Sequence, residues 1–183
     1  MKKLLEFIHF LTLHLNLNMK RVVYGKQITG NRLVLKNTGR ICLGNKVSLN
    51  SYPDGDIYRT GLLTHCKDST ISIGDNCILN GTMIHCRTNI SIGSFCMFGP
   101  GTHIIDNDSH RISIKQNERR QPPYSAPIII EDNVWVGMNS IILKGVKISN
   151  NSIVAAHSVV TKDIPENVLV AGNPAKIVKN LMK

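Results

Sequence analysis

The segment DNDSH, residues 106–110, places Asp106 four residues and Asp108 two residues before His110. A neutral imidazole can take a proton from a hydroxyl or an amine near pH 7, and a carboxylate beside it can fix its tautomer. His110 is therefore a candidate general base and Asp108 its candidate partner, ahead of Asp106. Both carboxylates also have a simpler reading, shared with Asn107 and Ser109, because Asp and Asn side chains readily close loops on their own backbone. His103, His85 and His65 are the rival histidines. His103 lies inside a regular stretch of the chain, which points to a structural role. The histidines at 85, 103, 110 and 157 suggest no trio for a metal, so none is expected.

What positions His110 is a repeat. From residue 130 the chain divides into six-residue steps, IEDNVW, VGMNSI, ILKGVK, ISNNSI, VAAHSV and VTKDIP. The first residue of each, Ile130, Val136, Ile142, Ile148, Val154 and Val160, is aliphatic, and the fifth is small or branched. The rule holds from residue 73 (IGDNCI, LNGTMI) and from residue 92 (IGSFCM, FGPGTH), with a weaker trace near residue 41. Ile73 and Ile92, like Cys77 and Cys96, are 19 residues apart, one more than three steps of six. Six matches neither the helical period nor a long alternating strand. A short strand and a corner repeated three times per turn predict a parallel β-helix with an aliphatic column inside. Gly74, Gly93, Gly99 and Gly137 then fall at corners where a side chain would crowd the turn.

Two polar segments, near 51–69 and 105–127, break the period and read as loops extruded from the stack, the second carrying His110. Residues 1–20 read as an amphipathic helix in which Leu4, Phe7, Ile8, Leu11 and Leu15 form an apolar stripe, packed on the protein or a neighbouring subunit, or docked on a membrane surface. Glu6, His9, His14, Asn16 and Asn18 interrupt it too often for a signal peptide or a membrane span. The β-helix proper is expected over 21–165, followed by a tail, 166–183, ending in a short helix.

The net charge of +10 implies contact with a polyanion: nucleic acid, anionic lipid or a phosphorylated small molecule, among which charge alone does not choose. The basic residues look spread along the chain and are not concentrated on one element, so no nucleic-acid partner is expected. The five cysteines show no CxxC or zinc-finger spacing and read as buried thiols in a reducing cytoplasm. The expected location is accordingly cytoplasmic, with room for contact at the inner face of the membrane.

DNDSH, APIIIEDNVWVG, IILKGVKI, AAHSVVTKDIP and AGNPAKIV, in that order over roughly residues 70–180, resemble the hexapeptide-repeat acyltransferases. The likeness is to the galactoside, maltose and xenobiotic O-acetyltransferases and related polysaccharide O-acetyltransferases. The resemblance implies an all-β, left-handed parallel β-helix, a homotrimer, and acetyl-CoA in a groove between subunits. It implies a catalytic histidine on the loop before the NVWVG block, the place His110 occupies 25 residues before Trp135. For the cofactor it implies Ala156, Thr161 and Lys162, and the basic Lys176 and Lys179, with Trp135 a candidate wall of the groove. Met138 and His157 depart from the small residues that relatives carry near that groove. The expected activity is transfer of an acetyl group from acetyl-CoA to a carbohydrate hydroxyl in surface-polysaccharide or glycolipid modification. N-acetylation of an amino sugar is the alternative, followed by a non-catalytic scaffold and a metal-dependent hydratase.

Overall fold

A computed structural model describes residues 2–51 and 57–182, with side chains from Phe7 onward. After the helix Lys2–Met19 the chain winds into three parallel sheets, each coil placing one strand in each sheet. The first sheet runs from Val23–Tyr24 to Lys147–Ile148 and the third from Val34–Asn37 to Val159–Val160, six strands apiece. The second begins at Thr29–Gly30 and gains two strands after the last coil.

The repeat dictates the core. Ile130, Val136, Ile142, Ile148, Val154 and Val160 all point inward and are buried, as are Val134, Ser140, Val146, Ser152, Ser158 and Ile164 at the fifth position. Ladders such as Leu49, Leu79, Phe98, Val136, Val154 and Val170 run the length of the stack. Each such side chain removed from water contributes about 1.5–3 kcal/mol. The 19-residue offset holds, since Ile73 pairs with Ile92 and Ile78 with Met97. Crowding also explains the corner glycines. A Cβ on Gly74 would lie 2.7 Å from the Gly93 carbonyl carbon, and one on Gly137 would lie 2.5 Å from the Ala156 nitrogen. At the corner that Gly74 and Gly93 share, Asn133, Asn151 and Asn167 take left-handed backbone (φ 56°, 59° and 59°). Their side-chain amides form a ladder, each donating to the next at 2.9 Å.

Before the weak trace at residue 41 the stack has a complete coil of two- to four-residue strands, inside the span 21–165 expected for the β-helix. Four expectations are corrected. The first loop is shorter than 51–69, because Gly61–Thr64 is a strand paired on both sides; residues 52–56 lie outside the described residues. The tail ends in strands instead of a helix: Val168–Ala171 joins the second sheet and Lys176–Asn180 returns antiparallel to it. The N-terminal helix is fastened by Leu13 and Leu17, while Phe7, Ile8, Leu11 and Leu15 of the expected stripe face outward; the side chain of Leu4 lies outside the described residues. The cysteines are all free, but only Cys77, Cys86 and Cys96 are buried, with Cys42 and Cys66 partly exposed.

Candidate active site

The second loop leaves the stack after the third-sheet strand His103–Ile105 and re-enters at Ile128–Ile130. Asp106, its first residue, is fully buried. Its carboxylate accepts from the Arg87 backbone N–H (2.8 Å), the Thr88 N–H (2.7 Å), the Thr88 hydroxyl (2.8 Å) and the Asn107 amide (3.0 Å). It thus closes the corner of the coil beneath the loop, and burial, reinforced by this carboxylate, pushes the neighbouring Cys86 thiol up to about 12. Asn107, also buried, accepts from the Ser109 N–H at 2.9 Å, which holds Ser109 in a left-handed turn (φ 60°).

That turn sets His110 on the surface. Its N–H donates to the Asp108 carbonyl at 2.6 Å, while its imidazole makes no hydrogen bond to a described residue. The Asp108 carboxylate is engaged elsewhere: Oδ1 accepts from Lys144 Nζ at 2.5 Å. Its Oδ2 is buried with no hydrogen-bond partner among the described residues. Asp108 and His110 are therefore joined through backbone and not side chain to side chain. The Asp108–Lys144 pair pins the loop to the next coil, and Lys144 is a functional candidate that motif reasoning missed. The signal was available in the repeat, because Ile105 pairs with Leu143, so the residue after Leu143 stacks beside the loop's root.

Beyond this turn the loop braces itself. Arg111 donates to Gln121 Oε1 (2.6 Å) and lies over the Tyr124 ring at 5.2 Å. Ser113 donates to Glu118 (2.7 Å), whose residue begins a 3-10 turn, Glu118–Arg120. The Ala126 N–H returns to the Asp106 carbonyl at 2.9 Å, closing the loop at its neck.

The other candidates divide. Thr161 and Lys162 are exposed on the same corner as the loop's root, just past the third-sheet strand Val159–Val160. Ala156 sits at the opposite end of that strand, and Trp135, half-exposed, faces out from the second sheet between Met97 and Ile153. Lys176 and Lys179 lie on the exposed final strand, opposite Ala171 and Leu169. Within one chain these residues occupy more than one edge of the prism. His157 points outward with left-handed backbone (φ 60°), 3.4 Å from the Asn139 amide.

The rival histidines also meet. His65 Nε2 lies 3.3 Å from His85 Nδ1, their rings stacked at 5.6 Å on the third sheet's outer side. Burial lowers the pKa of both; the charges of Lys36 and Arg87 lower His65 further, and those of His65 and His103 act likewise on His85. Among the described residues no three His, Cys, Asp or Glu side chains converge as a metal site.

Residues 127–162 match the family model described as bacterial transferase hexapeptide (six repeats). The chain is 40% identical over 94 residues to a galactoside O-acetyltransferase of Lactococcus lactis, covering 51% of this chain and 44% of that one. It is 56% identical over 61 residues to a 2,3,4,5-tetrahydropyridine-2,6-dicarboxylate N-acetyltransferase of Clostridium perfringens, covering 33% and 26%. It thus spans less than half the length of both relatives. Its fold superposes on the crystal structure of a hexapeptide-repeat acetyltransferase from Vibrio cholerae with a TM-score of 0.66 at 26% identity, over 96% of this chain and 82% of that one. A β-helix of hexapeptide coils, a hexapeptide-repeat match over residues 127–162 and these likenesses make the chain similar to the hexapeptide-repeat acetyltransferases in fold and sequence.

Proposed function

We propose that this protein transfers an acetyl group from acetyl-CoA to a carbohydrate hydroxyl, with His110 as general base, in the modification of a surface polysaccharide or glycolipid. The observation that carries this reading is the display of His110, an imidazole with no bonded partner among the described residues, on a loop clamped at its root by Asp106 and Asp108. His110 takes the hydroxyl proton as the oxygen attacks the thioester carbonyl. A C–O bond forms, the C–S bond breaks, and the imidazolium returns the proton to the departing CoA thiolate. Such a base contributes about 10²- to 10⁴-fold. Asp108 acts here as a positioning residue, setting the turn that presents His110.

Acetyl-CoA is assigned to a groove that passes Thr161 and Lys162, with Lys176 and Lys179 meeting its phosphates and Ala156 and Trp135 at its walls. Their spread over several edges of one prism supports a groove completed by a second subunit, as in a homotrimer. The exposed ladder of Ile78, Met97 and Trp135 offers apolar surface for that contact. Five free cysteines agree with a cytoplasmic setting.

N-acetylation of an amino sugar is the second reading, favoured by the 56% identical match to an N-acetyltransferase. Incubating the protein with acetyl-CoA and a panel of neutral and amino sugars, and following thiol release, tests both. An acetylated product whose label is lost in mild alkali supports the ester. An alkali-stable product supports the amide. Thiol release no faster than hydrolysis with every sugar refutes both.

A further inference from the structure

The outer face of the N-terminal helix holds none of the candidate site residues. Leu13 and Leu17 hold the helix on the first coil, and the Val22 N–H bonds to the Leu17 carbonyl at 3.0 Å. At 3.6 residues per turn, Phe7, Leu11, Leu15, Ile8 and Met19 fall within an arc of roughly 120° on the side away from Leu13 and Leu17. Their exposure runs from 46% at Ile8 to 69% at Met19. An apolar arc of this size left in water marks an interaction surface.

Charge identifies the partner. The first 50 residues contain nine Lys and Arg against one acidic residue, Glu6, and so hold +8 of the chain's +10; the remaining residues hold thirteen against eleven. The positive charge is therefore concentrated at the end of the stack where the helix lies, contrary to the even spread expected from the basic motifs. Lys20, Arg21, Lys26 and Lys46 of this end are all exposed. A second copy docking here by two-fold symmetry would bring two such basic ends together. A soluble polyanion would meet the charge and leave the apolar arc wet.

We infer that the N-terminal helix and the first two coils form a docking surface for an anionic lipid bilayer. The apolar arc lies in the interface between headgroups and acyl chains, and the basic residues meet anionic headgroups. No described helix is long and apolar enough to cross a membrane, so the contact is in the plane of the interface. This inference stands independently of the acyl acceptor.

Flotation of the full chain with vesicles of phosphatidylcholine, alone or mixed with phosphatidylglycerol, tests it. The account predicts binding to the mixed vesicles that weakens as salt is raised and little binding to the neutral ones. Leu11→Asp with Leu15→Asp, and separately Lys20→Glu with Arg21→Glu, should each lower the affinity about tenfold or more while keeping the β-sheet circular dichroism and the oligomeric mass. Three results would each overturn it: no binding of the parent to mixed vesicles, equal binding to both vesicle types, or unchanged binding in both double variants. A changed oligomeric mass in the Leu11/Leu15 variant would assign the face to a second copy instead.

Discussion

Residues 87–88 and residues 106–127 turn the same corner of consecutive coils, one in two residues and the other in a long loop. The short corner has too few residues to satisfy its own N–H groups, and the buried carboxylate of Asp106, borrowed from the coil above, satisfies them. The long corner is satisfied from within and anchored from above by Lys144. The insertion leaves the stack undisturbed, for Ile90 pairs with Ile128 as it does with Ile71. A rigid ladder thus tolerates a large excursion at one corner, and the excursion is where the candidate base sits.

The largest contrast between stack and loop lies in their aliphatic residues. Ile142→Ala, at a buried ladder position, should cost about 2–5 kcal/mol in denaturant unfolding. Ile114→Ala, at a loop position 95% exposed, should change stability by less than about 0.5 kcal/mol. Asp106→Ala bridges the two regions. It strands the Arg87 and Thr88 N–H groups and should cost about 3 kcal/mol, losing activity through the displaced loop as well. Comparable stability in Asp106→Ala and the parent would remove the shared corner from the account.

Lys144→Met sharpens the comparison further, because it frees the loop without opening the core. Turnover should fall about tenfold through misplacement of His110, with stability changed by less than about 1 kcal/mol. The smallest effect belongs to the stack's outer face. His65 and His85 have pKa values below the ordinary 6.5, so the unfolded chain binds more protons as pH falls through that value. Folding stability should accordingly decline from pH 7 toward pH 5, and His85→Asn should flatten the decline in denaturant midpoints.

The hexapeptide count made the regular half of the fold legible, because its inward positions obey a rule that polar corners do not obscure. The first coil escaped it, its strands being two to four residues long and partly polar, as in Thr29–Gly30. The helix illustrates a second limit. An apolar stripe reports amphipathicity but not which side meets the protein, and two leucines, Leu13 and Leu17, outweigh the longer stripe. The tail expected to end in a helix instead folds back as a hairpin, Val168–Ala171 with Lys176–Asn180, whose short strands lie outside the hexapeptide rule. At the site, His110 was placed by its position before the NVWVG block. The use of Asp108 escaped motif reasoning, because its partner Lys144 is 36 residues away and meets it through the coil register, which only an alignment of the repeats would trace.

The central claim, that this loop exists to present His110, is tested most directly by His110→Ala in single-acceptor turnover with acetyl-CoA binding measured in parallel. The account predicts a fall in kcat of about 10²-fold or more with acetyl-CoA affinity changed by less than about twofold. Turnover at the parent rate in that variant would contradict it.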